Sequence, residues 1–262
     1  MSQKDTMNLL DMLFPLLTGL LAGGLGAMLG LGGGVVVVPT LELFGERFLS
    51  SPHTLQQIIA ASQLGVLSVA VASSAGYLAK GGFVRFRVAY ALAPLTVFGG
   101  ILGSLLLLVL EPKLIATVFA LLLCYTAFEL IRGLDKADTE RPKPSKLAKP
   151  ALIFGGIMSG LLGIGGGTIQ VPVLNLLVGL PFRAAVATST FMMGFTAISN
   201  ASIQIASGKL QPELAGAIAL GILIGARISS GWATRVPVRT LKLMFSALVL
   251  YSAFDLFRKY WL

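Results

Sequence analysis

The chain has 262 residues, of which 55% are hydrophobic and 12% are charged. The charged share is about half that of a soluble domain, so there is too little polar surface to cover a core of this size, and a soluble globular protein is excluded. One cysteine and one histidine exclude a disulfide scaffold, most metal sites and Cys/His catalysis. We therefore predict an all-α integral membrane protein that is not an enzyme and has no cofactor or metal.

The basic residues lie between the apolar runs and form no recognisable nucleic-acid-binding motif. The formal net charge is +9, and most of the Lys and Arg residues fall in short polar gaps. This distribution is typical of loops that flank membrane spans, where cytoplasmic loops carry the excess of positive charge. We expect the partner to be a lipid bilayer and not a nucleic acid.

Apolar runs recur along both halves of the chain, and a membrane span needs about 20 mostly apolar residues. They cover 8–31, 35–44, 55–78, 88–110 and 114–131 in the first half, and 151–164, 168–180, 184–206, 214–233 and 241–257 in the second. The first run is too long for the apolar core of a cleavable signal peptide, so we expect it to remain in the mature protein. About eight transmembrane segments are predicted.

A polar stretch with three prolines and mixed charge separates the two halves. It predicts a cytoplasmic linker at 133–150, between a first transmembrane repeat at 8–132 and a second at 151–260.

Two sequence matches indicate that the halves arose by duplication. Gly-Leu-Gly-Gly-Gly-Val-Val-Val-Val-Pro-Thr-Leu at 30–41 matches Gly-Ile-Gly-Gly-Gly-Thr-Ile-Gln-Val-Pro-Val-Leu at 163–174, with seven of twelve positions identical. The last helix of each half ends alike, in YTAFELIR at 125–132 and YSAFDLFR at 251–258. Two homologous helical repeats joined by a linker are the usual plan of secondary transporters.

A glycine triplet interrupts one apolar segment in each half. The triplets are Gly32, Gly33 and Gly34 in the first half and Gly165, Gly166 and Gly167 in the second. Glycine reaches backbone angles that other residues avoid, and Pro39 and Pro172, five residues after each triplet, lack an N–H group. Unpaired backbone is costly in lipid, so each break is expected to line a protein cavity. Helix starts after the breaks would direct N–H groups at that cavity and bind an anion there. The alternative is that the glycines only allow close helix packing.

The charges do not decide whether each broken element crosses the membrane or turns back as a hairpin. Leaving Arg227 aside, a crossing element puts 13 cations on the linker side and 6 on the other. A hairpin gives the same partition but moves both chain termini to the side with fewer cations. The linker is cytoplasmic in both arrangements, while the repeat orientation and the side of the termini stay open. Because 168–180 is too short for a full span, either a broken span or a hairpin is required there.

Polar side chains inside the spans are candidate ligands for an oxyanion, since hydroxyls and amides donate hydrogen bonds without carrying charge. In addition to the glycines, the candidate ligands are Ser62, Gln63, Gln170, Ser189, Thr190 and Asn200. Thr188, Ser199, Gln204 and Asn175 lie near them in sequence. The alternative for each single residue is an ordinary hydrogen bond between helices.

Charged residues offer two further hypotheses. Arg227 interrupts an apolar run and is a candidate anion anchor, or else its side chain extends to the membrane interface. Glu129 and Asp255 lie three residues before Arg132 and Arg258, where local ion pairing is preferred over a role in proton coupling.

The element Gly-x-Gly-Gly-Gly-x-x-x-Val-Pro-x-Leu, present once in each half, resembles the sulfite exporter TauE/SafE family, also called the toluene sulfonate uptake permease family. The resemblance covers nearly the whole chain. It implies a plasma-membrane transporter of about eight spans, produced by duplication of four, with sulfite, sulfate-like anions or organosulfonates as substrates and with either export or uptake. Valines flank the first triplet, whereas Gln170 follows the second, so the second half is expected to supply more ligands.

The sequence therefore predicts a secondary transporter for a small sulfur-containing anion, with its site at the paired glycine breaks and protons as a plausible coupling ion. An uncoupled anion channel and a non-transport membrane accessory factor are the alternatives.

Overall fold

The described chain consists of helices and the short segments that connect them. The computed structural model describes residues 9–29, 32–50, 52–79, 83–132, 145–232 and 238–261, and no strand occurs within these ranges. The helices of the first half are α1 (Leu9–Leu29), α2 (Gly34–Phe48), α3 (Leu55–Ala79), α4 (Phe86–Val109) and α5 (Pro112–Arg132). Those of the second half are α6 (Ala148–Leu162), α7 (Gly167–Pro172), α8 (Phe182–Ala206), α9 (Pro212–Trp232) and α10 (Val238–Trp261). A π-helical turn, Val173–Leu177, extends α7.

Three helical segments of the described chain are long and apolar enough to cross a membrane. They are Leu55–Ala79, Phe86–Val109 and Pro212–Ser229. Shorter apolar helical segments are Asp11–Ala27, Pro112–Phe128, Ala148–Leu162 and Gly167–Leu177. Large apolar side chains also cover the outside of the bundle, for example Val109, Leu121 and Phe254, which are each more than 60% exposed. An apolar outer surface suits a protein whose solvent is lipid.

Each glycine-containing segment forms a helical hairpin. In the first half, Ser50 donates its backbone N–H to Asp11 Oδ1 at 2.6 Å, so the chain after α2 returns to the start of α1. In the second half, Ser145 donates its N–H to the carbonyl oxygen of Leu177 at 2.9 Å, which brings the end of the π turn back to the residues before α6. Of the two arrangements that charge counting left open, the structure has the hairpin in both halves.

The remaining helices alternate in direction between two faces of the bundle. Gln56 at the start of α3 donates its amide to Leu110 at the end of α4 and accepts from Lys209, just after α8. At the other face, Arg85 before α4 donates its N–H to Thr188 near the start of α8. We call these the terminal face and the linker face.

The end of α10 lies at the terminal face, because Trp261 Nε1 donates to Thr117 Oγ1 near the start of α5 at 2.9 Å. The start of α1 lies there too, since α2 returns to it just before α3 begins.

The two halves interlock, because the first helix of each packs along the fourth helix of the other. In α1, Gly19 and Gly23 lie so close to α9 that a Cβ atom would overlap the carbonyl oxygens of Ile218 and Ile222. The pair formed by α4 and α6 repeats this arrangement, and the long helices α3 and α8 pack against each other between the two pairs. α5 packs on α10.

The same close approach occurs in the second interlocking pair. A Cβ atom at Gly99 or Gly103 of α4 would overlap the carbonyl oxygens of Ile153 and Ile157 in α6. Glycine permits such backbone contact between helices. Close packing therefore explains many of the glycines outside the triplets.

Candidate functional site

The tips of the two hairpins are in direct backbone contact. Gly32 has a φ of 75°, and a Cβ atom there would lie 2.6 Å from the carbonyl oxygen of Ile164. A Cβ atom at Gly34 would overlap the carbonyl oxygen of Gly163. The prediction that the breaks meet is therefore confirmed, and glycine is needed at this contact for space as well as for backbone angle.

The second break depends on left-handed backbone at three of four consecutive residues. Gly163, Gly165 and Gly166 have φ values of 69°, 83° and 73°. Gly163 ends α6 in the usual left-handed glycine cap and donates its N–H to the carbonyl oxygen of Ser159 at 3.0 Å. L side chains rarely adopt such angles, so this segment can turn back only with glycine at these positions.

The other two glycines of the triplets have different places. Gly33 has a φ of −64°, and a Cβ there would lie 2.9 Å from Ile222 Cδ1, so glycine is favoured at Gly33 by space alone. Gly167 is the first residue of α7.

The contact between the tips lies beside the middle of the two central helices. A Cβ at Gly165 would lie 2.7 Å from a methyl carbon of Val66 and 3.2 Å from Met193 Sδ. Val66 is close to the midpoint of α3 and Met193 to the midpoint of α8. The second break is thus enclosed by both halves, beside the middle of both central helices.

Ser62 and Gln63 hold the second break from α3. Ser62 Oγ lies 2.9 Å from the carbonyl oxygen of Gly163 and 2.7 Å from that of Ile59 in its own helix, so its single hydrogen is shared between the two acceptors. Gln63 Nε2 donates to the carbonyl oxygen of Ser159 at 2.9 Å. The last carbonyl groups of a helix have no partner within it, and these two side chains supply partners at the end of α6. Both donors are therefore engaged in the structure, as the interhelical alternative predicts.

Gln170 has a donor without a partner at the second break, whereas Gln204, whose amide is also unpartnered, lies near the end of α8. Its side chain is fully buried, and its Oε1 accepts a hydrogen bond from Ser189 Oγ at 3.2 Å. Its Nε2 has no partner, and neither has the buried hydroxyl of Ser159. Gln170 Nε2 and Ser159 Cβ lie 2.8 and 3.2 Å from the position that a Cβ atom of Gly166 would occupy. An unpaired buried donor is costly, so these two groups, beside a residue without a side chain, are suited to a bound acceptor.

Thr190 and Asn200 donate hydrogen bonds to groups away from the second break. Thr190 Oγ1 donates to the carbonyl oxygen of Val186 in its own helix at 2.8 Å. Asn200 lies against α4, where its amide nitrogen, in the orientation that gives it acceptors, donates to the carbonyl oxygen of Gly100 at 3.0 Å. Both are buried, but neither has its donor directed at the second break.

Among the charged candidates, Arg227 lies on the exposed side of α9, while the other predicted ligands are buried. The structure does not bring it to the hairpin tips, and its role as an anion anchor stays a prediction. Asp255 pairs with Arg258 at 2.9 Å, which confirms the local ion pair in α10. The side chains of Glu129 and Arg132 and most of the linker lie outside the part of the chain that the structure describes.

Sequence reasoning missed Ser159 and Glu42. Ser159 is an ordinary serine within an apolar helix, so nothing in the sequence distinguishes it. Glu42 is the one charged residue that is buried among the described side chains, at 5% exposure. A signal for it was present, because it is the only acidic residue in the apolar run at 35–44, at the repeat position that Asn175 occupies in the second half.

A bundle with an apolar outer surface, long apolar helices and a buried polar break defines a helical membrane protein. The family model "Sulfite exporter TauE/SafE" matches residues 15–256. The chain therefore belongs to the TauE/SafE family of membrane transporters, and the resemblance seen in the glycine motifs is confirmed.

Relatives of similar length extend this result. A "Probable membrane transporter protein" of Haemophilus influenzae is 28% identical over 93% of this chain and 97% of its own length. The "Probable membrane transporter protein YunE" of Bacillus subtilis is 24% identical over 85% of this chain and 89% of its own. A "Probable membrane transporter protein" of Xylella fastidiosa is 28% identical over 80% and 84%. No solved structure gives a significant match.

Proposed function

We propose that the protein is a secondary transporter that moves a small sulfur-containing anion across the plasma membrane, with its binding site at the second glycine break. The observation that carries this proposal is the unpartnered amide nitrogen of Gln170 beside Gly166, at the contact of the two hairpin tips. The family name supports sulfite, and a sulfate-like anion or an organosulfonate would offer the same oxygen acceptors.

The chemistry of this site favours an anion with a single charge. The unpartnered donors at the second break are all neutral, namely the amide of Gln170 and the hydroxyls of Ser159 and Thr168. No buried Lys or Arg occurs among the side chains that the structure describes. The cost of moving an ion out of water rises with the square of its charge, and neutral donors offset only part of that cost. Hydrogen sulfite and organosulfonates would therefore be bound in preference to sulfate.

We also propose that residues 8–132 and 151–260 are inverted repeats, each made of one hairpin and three membrane-crossing helices. The matching packing of α1 on α9 and of α6 on α4 supports this arrangement. So do the hydrogen bonds that place the starts of α1 and α3 at one face and the start of α8 at the other. The eight segments expected from the sequence would then be six full spans and two hairpins.

In this arrangement the linker face is cytoplasmic, because 13 cations lie on that side against 6 on the other. Movement of one half against the other around the hairpin tips would open the site to each side in turn.

A binding and flux screen with the purified protein tests the proposal. Sulfite, sulfate, thiosulfate and methanesulfonate are measured first for binding in detergent and then for flux into proteoliposomes. We expect saturable flux of one or more of them, with methanesulfonate bound at least 10-fold more tightly than sulfate. Flux that does not saturate would identify a channel, and an absence of both binding and flux would favour an accessory factor.

A further inference from the structure

An ion-pair network around the buried Glu42 ties the first hairpin to the last helix. Glu42 of α2, with a side chain only 3% exposed, pairs with Lys259 Nζ of α10 at 2.9 Å. Tyr260 donates its hydroxyl to Glu42 Oε1 at 2.8 Å, and Lys259 Nζ also lies 3.4 Å from the backbone carbonyl oxygen of Glu42. These contacts lie near the terminal face, away from the second break, and the anion site does not use them.

Lys259 is shared between a buried carboxylate and an exposed one. Its second partner is Glu46 Oε1 at 2.7 Å, and the Glu46 side chain is 70% exposed. Neutralising one member of a buried ion pair normally leaves an uncompensated buried charge, which is strongly destabilising. Here the ammonium keeps a carboxylate partner near the surface, so Glu42 can accept a proton without leaving Lys259 alone. The network is therefore able to exist in two charge states.

The network is mechanically connected to the contact between the hairpin tips. Gly34, which lies against Gly163, and Glu42 are in the same helix and about 12 Å apart along its axis. Releasing Glu42 from α10 would therefore allow residues 34–42 and the first tip to move against the second tip, while Glu46 still holds the end of α2.

The partners of Glu42 on the facing helix α10 are Lys259 and Tyr260. The other charged residues described on the helices that pack against α2 have partners of their own. On α10, Arg258 is paired with Asp255. On α1, Asp11 accepts from the backbone of Ser50, and α3 carries no charged residue.

No equivalent network is formed by the residues of the second half that the structure describes. The repeat position of Glu42 is Asn175, whose amide nitrogen donates to the carbonyl oxygen of Leu180 at 2.8 Å. An ion-pair tether is thus built at the first hairpin, while the unpartnered donors of Gln170 and Ser159 lie at the second.

We propose that Glu42 is the proton-coupling carboxylate of the transporter. A proton from the terminal face adds to a carboxylate oxygen of Glu42, and Lys259 remains with Glu46 near the end of α2. Residues 34–42 of α2 then pivot about this retained pair, so that the first tip moves. Loss of the proton restores the ion pair. This inference rests on the proposed transport function and adds the coupling ion and the residue that carries it.

The first test needs no substrate. Infrared difference spectra of the purified protein between neutral and mildly acidic pH report the carbonyl stretch of newly protonated carboxylic acids. We expect a band from a buried acid in the wild type and in Glu111→Gln, which replaces an exposed acid outside the network, and its loss in Glu42→Gln. A wild-type spectrum without this band, or an unchanged band in Glu42→Gln, would overturn the proposal.

The second test measures coupling with methanesulfonate, whose charge does not change over this pH range. Its accumulation in proteoliposomes is driven by a proton gradient across the membrane. We expect Glu42→Gln to bind methanesulfonate within about twofold of wild type and to exchange it, but to lose at least 10-fold in gradient-driven accumulation. The control Glu111→Gln, at an exposed acid outside the network, should keep accumulation.

These measurements distinguish a failure of the transport proposal from a failure of the coupling role of Glu42. Failure of the wild type to bind or move the anion would contradict the transport proposal, and the spectra would still decide on Glu42. Accumulation by Glu42→Gln that equals wild type would overturn the coupling role alone. If Glu42→Gln does not fold, Lys259→Gln serves in its place. Removal of the Lys259 ammonium favours the neutral form of Glu42, so the pH of half-maximal accumulation should rise. An unchanged pH profile would contradict the proposal.

Discussion

Ser62 shares its hydroxyl hydrogen between the carbonyl oxygen of Gly163, 101 positions later in the chain and 2.9 Å away, and that of Ile59 in its own helix, 2.7 Å away. The bond joins the central helix of the first half to the break of the second. Replacing Ser62 by Ala leaves the Gly163 carbonyl without this buried partner, at a cost of about 1–3 kcal/mol. We expect a lower apparent Tm in detergent and weaker anion binding, because the break loses one of its supports.

Ser68→Ala is the matched control for this variant. Ser68 is in the same helix, but its hydroxyl donates to the carbonyl oxygen of Leu64, one turn earlier. Its removal should leave Tm and anion affinity close to wild type. Equal losses in the two variants would mean that the bond from Ser62 has no special role at the break.

The contact of the hairpin tips requires the absence of a side chain at Gly34. A Cβ atom there would overlap the carbonyl oxygen of Gly163, and backbone cannot move aside as a flexible side chain does. We expect Gly34→Ala to cost at least about 1–3 kcal/mol, the usual cost of overpacking, and to reduce flux more than 10-fold.

Gly76→Ala is the control for the glycine substitution itself. Gly76 lies within α3, and a Cβ atom there would meet nothing within 4 Å. Alanine in a helix interior is favoured over glycine by about 0.5–1 kcal/mol, so this variant should be at least as stable as wild type and fully active. Normal flux in Gly34→Ala would contradict the inference that the two tips must touch.

The positions of several helices can be predicted from the sequence, because a long apolar run within one segment is enough to identify a helix. The runs at 55–78 and 88–110 coincide with α3 and α4 to within a few residues. The run at 168–180 gives a short helix and a π turn instead of one regular helix. The turn begins directly after Pro172, which has no N–H group to continue the pattern.

The hairpins and the partners of the polar residues could not be predicted. Charge counting gave the same partition for a hairpin and for a crossing element, and only a contact such as that of Ser50 with Asp11 distinguishes them. A buried hydroxyl can donate along its own helix or across to another, and sequence spacing does not decide which. Ser189 and Thr190 are neighbours in α8, yet the first contacts Gln170 and the second its own helix.

Removal of the free donor at the second break should weaken anion binding. We expect Gln170→Leu to raise the Kd for the transported anion at least 10-fold, because the variant loses the unpartnered amide. Gln170→Glu keeps the size of the side chain but places negative charge beside Gly166, and should abolish measurable binding. Calorimetry or a filter-binding assay with the purified protein gives both values.

Ser189→Ala and Thr190→Val form a matched pair for the same site. The hydroxyl of Ser189 donates to Gln170 Oε1 and so positions that side chain, whereas the hydroxyl of Thr190 donates to a carbonyl oxygen of its own helix. Only the first variant should raise Kd, by about 3-fold to 10-fold, the equivalent of one lost hydrogen bond. A larger effect in Thr190→Val would place the anion elsewhere along α8.

Arg227 allows a direct test of whether a positive charge holds the substrate. Because it lies on the exposed side of α9, we expect Arg227→Gln to leave the Kd within about twofold of wild type. A 10-fold rise in Kd corresponds to about 1.4 kcal/mol and would show that this guanidinium reaches the anion during transport. The preference for singly charged anions would then need revision, since that argument assumes neutral donors.

Membrane orientation is tested by labelling single cysteines with a reagent that does not cross the bilayer. Cys124 is exposed on α5 and is first replaced by serine. New cysteines are then placed at residue 140 in the linker, at residue 52 before α3 and after residue 262. Inverted repeats made of hairpins put residue 52 and the C-terminus on the terminal face, opposite the linker. In intact cells we expect both to react, and the linker cysteine to react only after the membrane is opened. Labelling of the C-terminus together with the linker would mean that α10 ends on the linker side, which the hydrogen bond of Trp261 with Thr117 does not allow.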